Sequence, residues 1–232
     1  MKKITEKDFK PLEQPEGIKG MTTPLIRGLI NHLAKDIDLY VEIGSYQGST
    51  LIAAADGNPS TLCIGIDNFV EFDKLRQNEQ ILRKATKPFS NIEFWNKDGY
   101  VALKELAQKD GVDVGCFFYD GNHTYADTLK ALEMMDESLA KDGTMIIDDT
   151  NMGNDDWSDE IGQSVLDFCK SHNYEVIFER TSAKNGSSDY WNGIMVIARK
   201  AKKGMTTKKA KEVIKSKGPK IPADRDILLT EK

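Results

Sequence analysis

Five short apolar runs recur along the chain, each closing on or beside an acidic residue: 39–44 (LYVEIG), 61–67 (TLCIGID), 92–97 (IEFWNK), 113–120 (DVGCFFYD) and 144–149 (TMIIDD). Segments of helical character separate them. Parallel strands need such crossovers, so the alternation implies an α/β fold: a parallel sheet with helices on both faces. A helix is expected over 24–35, with Leu25, Ile26, Leu29, Ile30 and Leu33 on one face. Another runs from Tyr125 to about Ala140, with Leu129, Leu132, Met135 and Leu139 inward and Thr124 as N-cap; Gly143 stops the chain soon after. A further helix near 158–171 precedes two strands, 174–180 and 191–198. The polar loop between those two suits a hairpin, so the seventh strand is expected to run antiparallel.

The 232 residues suffice for one such domain and a tail. We read 1–20 as a loosely ordered N-terminal arm, 21–199 as the domain and 200–232 as a basic, flexible tail. No apolar run approaches the ~20 residues that cross a bilayer, and mean hydropathy is −0.49. The lysines at the start have no apolar segment behind them, which argues against a secretory signal and for a cytoplasmic protein. Cys63, Cys116 and Cys169, widely spaced among apolar neighbours, read as reduced buried thiols. Residues 199–220 carry ten basic residues against Glu212, and 221–232 a net −1, which leaves −13 on residues 1–198 of a chain whose total is −5. An acidic body does not suit a nucleic-acid clamp; the tail is either solvated or a weak polyanion contact.

In a doubly wound sheet, ligands bind beyond the carboxyl ends of the strands, where strand order reverses. Glu42, Asp67, Asp98, Asp120 and the pair Asp148–Asp149 stand at or near those ends. One alone would be an ordinary turn residue or cap; five on one rim are more than capping requires. The first strand runs into VEIGSYQGST, whose Gly44 and Gly48 permit a tight turn and close approach of backbone to a ligand. It does not read G-x-G-x-x-G, which disfavours a nicotinamide oxidoreductase. Asp120, Asp148 and Asp149 would crowd one small space. Two like charges ~4 Å apart repel by about 4 kcal/mol at an effective dielectric near 20, so the cluster needs a cation or a proton. Oxygen donors without cysteine or paired histidine favour Mg²⁺, with Mn²⁺ or Ca²⁺ as substitutes; in the metal-free alternative Asp148 caps a turn and Asp149 faces water. His123, three positions after Asp120, reads as a general base or as a surface loop residue, while His32 and His172 read as structural.

The spacing of Glu42, Gly44 and Gly48 resembles the nucleotide loop of class I S-adenosylmethionine-dependent methyltransferases. The resemblance implies a Rossmann-like fold with a seven-stranded, mostly parallel sheet. It places the loop, with Ser45 and Ser49, against the amino-acid end of the cofactor. Asp67 would take the ribose hydroxyls, Asn68 and Phe69 would flank the adenine, and Asp98 with Gly99 would meet its amino group. D-x-N-H-T-Y from Asp120, followed at 28 residues by D-D-T, is similar to the metal-dependent O-methyltransferases of sugars and other natural products, among them the macrolide-sugar and the cephalosporin-hydroxylase/rhamnosyl methyltransferase groups. Catechol-type enzymes share the spacing but end D-N, and the sugar type ends Glu-Asp, so Asp148 is a shortened counterpart. By this resemblance, which covers residues 15–200, Asp120, Asp148 and Asp149 bind Mg²⁺, Asp120 also faces the cofactor, and His123 takes the proton from a small-molecule or glycan hydroxyl. Acceptor contacts are expected from the arm, from 151–156 with Trp157, which may equally anchor the next helix, and from 183–190. Two alternatives stay open: a metal-independent methyltransferase recruited to a macromolecule by the tail, and a cofactor-binding protein without catalysis. Monomer and homo-oligomer are both compatible with the sequence.

Overall fold

This computed structural model describes residues 2–71, 73, 77–150, 156–181 and 189–201, the side chains of 156–159 excepted. The expectations for 151–155, for the Trp157 side chain, for 183–188 and for the tail beyond Ala201 lie outside the described residues. In chain order the elements are α1 (Pro24–Leu33), β1 (Leu39–Ile43), α2 (Ser49–Ala55), β2 (Leu62–Asp67), α3 (Asn78–Thr86), β3 (Ile92–Asn96) and α4 (Gly99–Ala107). There follow β4 (Val114–Tyr119), α5 (Tyr125–Asp136), β5 (Leu139–Asp148), α6 (Asp156–Ser171), β6 (Tyr174–Arg180) and β7 (Ile194–Arg199). Among the described residues the strands form one sheet in the order β3-β2-β1-β4-β5-β7-β6. β1 to β5 pair in parallel, and β7 runs antiparallel between β5 and β6, as the short hairpin connection requires.

Period-two alternation divides the core between the two faces. Val41, Ile43, Ile64, Phe117 and Met145 pack with Leu103, Leu132 and Val165 of α4, α5 and α6. Tyr40, Cys63, Phe118, Ile146 and Val196 pack on the other side with Ile26 and Leu29 of α1 and Leu51 of α2. Thr23 and Thr124 cap α1 and α5, their hydroxyls accepting from the Ile26 and Asp127 amides. The three cysteines are free and buried, and burial raises their thiols to about 12, 12 and 11. No described helix is long and apolar enough to cross a membrane.

Two expectations are corrected. Helix α5 ends at Asp136, not near Ala140, and Leu139 opens β5, paired with Val114. The register then shifts, so that Thr144 stands opposite Cys116. Arg199 causes the early stop: its guanidinium donates to the Asp136, Leu139 and Ala140 carbonyls and to the Asp136 carboxylate. A cation there satisfies the carbonyls that a helix leaves unpaired at its C-terminus.

The arm, moreover, is not loose. It has no helix or strand, yet the Ile4 amide donates to Ile177 on the edge strand β6. Phe9 is buried edge-on against Phe178. The buried Arg27 donates to the Leu12 and Thr22 carbonyls and to Gln14 Oε1. These contacts replace the regular hydrogen bonds that the segment lacks.

Gly28 lets the arm lie directly on α1: a Cβ there would come 1.9 Å from the Lys10 carbonyl oxygen. Overpacking of this kind costs about 1–3 kcal/mol. Gly28→Ala is therefore expected to lower Tm by roughly 3–10 °C in a domain of this size. It should also speed tryptic cleavage at Lys7. An unchanged melting curve with unchanged cleavage would show that this contact does not hold the arm.

Candidate active site

The carboxyl ends of β1, β2, β4 and β5 open on one side because those strands are parallel. Strand order reverses between β1 and β4, and a cleft of ≈ 470 Å³ lies there. Gly44 sits at its floor with φ 92°, where a Cβ would lie 1.9 Å from the Asp120 carbonyl oxygen. Its amide donates to Ile66, and the Asp120 amide donates to Ile43, so the ends of three strands are tied together. Gly48, with φ 88°, then starts α2 without a side-chain cap.

Asp67 ends β2. Its Oδ2 accepts from the Tyr46 amide at 2.8 Å and its Oδ1 from the Phe69 amide at 2.7 Å. Burial raises its pKa, and these backbone bonds counter the rise. Asp98 is both the N-cap of α4, accepting from the Tyr100 and Val101 amides, and part of the cleft wall. One residue thus caps the helix and faces the cleft.

At the far end, His123 Nε2 lies 2.9 Å from Asp149 Oδ2 and 3.4 Å from Asp120 Oδ1. Burial opposes a charge on the ring, but both carboxylates outweigh it and lift the imidazole to about 10. The Asp120 carboxyl is raised by burial and by Asp149, against the pull of His123. Asp148 is raised well above the usual range by burial, then by repulsion from Asp120 and Asp149. Its Oδ1 is buried and has no hydrogen-bond partner among the described residues. One ligand atom from each of Asp120, His123 and Asp149 can be chosen so that all lie within 4.8 Å of one another. Oxygen-rich donors at this spacing, with a further unpaired carboxylate oxygen on the same wall, suit a hard divalent cation.

Backbone strain collects here too. Of the six non-glycine residues with positive φ among the described residues, Tyr46, Phe69, Asp149 and Asn192 stand at this rim. Such conformations persist where the surrounding structure enforces them, and functional sites are where they cluster.

Residues 41–150 match a family model described as a methyltransferase domain. An O-methyltransferase from Bacillus cereus, solved with SAH, superimposes with a TM-score of 0.56 at 13% identity over 75% of this chain and 79% of that one. A Podospora anserina methyltransferase, also SAH-bound, gives 0.57 at 15% identity over 78% and 80%. The O-methyltransferase TomG of Streptomyces achromogenes, involved in tomaymycin synthesis and solved with SAM, gives 0.57 at 13% identity over 76% and 78%. This chain therefore has the Rossmann-like fold of the class I methyltransferases. No curated protein matches the sequence.

Within this class I fold, the cleft is lined by Gly44, Asp67, Asn68, Asp98, Gly99, Asp120, His123, Asp148 and Asp149. Glu42, Ser45, Gly48, Ser49 and Phe69 stand outside its lining. Glu42 points into the α1/α2 side of the sheet, where its Oε2 accepts from Tyr40. Ser45 and Ser49 are buried, the latter donating to Gln14 of the arm. Phe69 turns its ring against Phe94. The sequence reading did not single out Met21, Tyr46, Tyr100, Trp191 and Asn192, which also line the cleft. An antiparallel β7 must begin at the rim where β5 ends, so Trp191 and Asn192 could have been found from that expectation.

Burial lifts the Glu42 carboxyl from 4.5 to about 7, partly offset by hydrogen bonds such as that from Tyr40. The folded chain therefore keeps a proton that the unfolded chain releases near 4.5. Stability falls as pH rises from about 4.5 to about 7 and is level above, a loss of roughly 3 kcal/mol. Glu42→Gln cannot titrate, so its Tm relative to the parent should improve from about pH 4.5 to about pH 7 and stay level above. Parallel Tm–pH curves for the two proteins would assign the pH dependence elsewhere.

Proposed function

We propose that this protein transfers a methyl group from S-adenosylmethionine to a hydroxyl of a sugar or other small hydroxylated acceptor, with the help of Mg²⁺ or a similar cation. The observation that carries the reading is the cluster of Asp120, His123 and Asp149 in the same cleft as Asp67 and Asp98. A cleft that only stored a nucleoside would have no use for it. The SAH- and SAM-bound neighbours support the choice of donor.

Asp67 holds each carboxylate oxygen on one backbone amide, which leaves lone pairs on both for the ribose hydroxyls. Asn68, Asp98 and Gly99 line the adenine end, and the open floor at Gly44 admits the amino-acid end. The donor supplies an electrophilic methyl on a sulfonium, a charge that the acidic rim attracts. Asp120, Asp148 and Asp149 would hold the divalent cation, which supplies positive charge that favours an alkoxide and replaces that of the imidazolium on the same carboxylates. His123 then takes the acceptor's proton on Nε2 as the O–CH₃ bond forms and the S–CH₃ bond breaks.

Labelled donor presented with sugars, diols and catechols tests the reading directly. Excess EDTA is expected to abolish transfer while calorimetric SAH binding persists; full turnover in EDTA would remove the cation from the mechanism. His123→Ala should lower kcat by about 10²–10⁴-fold with the SAH Kd unchanged. Asp67→Ala should weaken SAH binding by roughly 10- to 100-fold, the range for hydrogen bonds to a charged group. A normal SAH affinity in that variant would place the cofactor elsewhere.

A further inference from the structure

The turn Tyr190–Gly193 leads into β7 at the chemical end of the cleft. The Gly193 amide donates to the Tyr190 carbonyl at 3.1 Å, and Asn192, at φ 55°, is left-handed. Ile194 stands opposite Asp148, and the Thr150 amide donates to the Gly193 carbonyl at 3.4 Å, so pairing of β5 with β7 continues beyond Asp148. That register carries Asn192 to the same rim as Asp148 and Asp149, and all three line the cleft.

Asn192 Oδ1 is shut off from solvent and has no hydrogen-bond partner among the described residues. The same holds for Oδ1 of Asp148, a residue only 6% exposed. Buried acceptors are almost always paired. Two unpaired oxygens, delivered to one wall by neighbouring strands, therefore point to an electropositive partner that no described residue provides.

We propose that Asn192 supplies a neutral oxygen to the cation site of Asp120, Asp148 and Asp149, an inference that rests on the cation reading above. Three carboxylates already exceed the charge of a divalent ion, and a fourth would add repulsion. An amide oxygen adds a hard donor without adding charge. The left-handed backbone narrows the choice of residue, because only glycine and asparagine or aspartate adopt it readily. Glycine would serve the turn but bring no oxygen.

The test is calorimetric titration of Mn²⁺ into the metal-free full chain, with SAH titrated in parallel. Asn192→Gly keeps the turn and removes the amide; Asn192→Asp returns an oxygen. Mn²⁺ affinity is expected to fall on the order of 10-fold in Asn192→Gly and to recover in part in Asn192→Asp, whose oxygen returns together with the repulsion of a fourth carboxylate, and SAH affinity is expected to be the same in all three proteins. If Asn192→Gly binds Mn²⁺ as the parent does, Asn192 is not a ligand, and the cation reading stands without it. If SAH binding weakens together with Mn²⁺ binding, the residue serves only the turn and the inference is overturned. If the parent binds no Mn²⁺, both the inference and the cation reading fall.

Discussion

Where β1 leaves the sheet, its backbone meets the end of β4 with no room for a side chain. The hydrogen on Gly44 that faces Asp120 occupies the place where any other residue's Cβ would meet a carbonyl oxygen at 1.9 Å. The neighbouring hydrogen bonds, Gly44 to Ile66 and Asp120 to Ile43, bind the ends of β1, β2 and β4 into one platform. Asp67 and Asp120 are brought to a single cleft by this close approach, although 53 positions separate them in the chain. Asp67 and the acidic cluster can share a cavity only because the two halves of the sheet meet there without a spacer.

The platform gathers negative charge in a place where water cannot dilute it. Asp148 shows the consequence most plainly, with its carboxyl raised by burial and by two neighbouring carboxylates. In the cation-free protein His123 answers this charge as an imidazolium at 2.9 Å from Asp149. A protonated histidine offsets part of this charge; under the function proposed above, a bound cation would offset it instead and leave the histidine free to accept a proton. Glu42, behind the platform, shows the same pressure from burial but lies outside the cleft lining, and its effect falls on stability.

The parallel strands and the anionic rim were legible because both follow from local pattern. Period-two apolar runs define parallel strands, and residues at strand ends must emerge on one side. Leu139 misled because its spacing fits a helix face and a strand start equally well; a guanidinium 60 positions away decides between them. The fixed arm was illegible for a related reason. Its anchors are Arg27 and the missing Cβ of Gly28, and neither residue type announces which carbonyls it will meet. Ser45 and Ser49 carry the loop's spacing but not its orientation, which depends on what packs behind them. Asp98 was ambiguous in the sequence because a cap and a ligand-facing carboxylate require the same residue at the same position.

The arm's packing gives that orientation a physical cause. Gln14 Oε1 accepts from both Arg27 and Ser49, and the Lys19 amide donates to Gln47, whose own amide donates to Asn78 at the start of α3. The back of the glycine loop is thus held by residues without regular structure, and α1, α2 and α3 are coupled through them. The same segment continues to Met21 in the cleft wall and to Thr23, whose hydroxyl donates to the Asp189 carbonyl beside the turn that carries Asn192. A displacement of the arm would therefore be felt at the cofactor loop and at the chemical end together. Sequence change in residues 10–23 can thereby shift the cleft wall without touching any carboxylate of the rim.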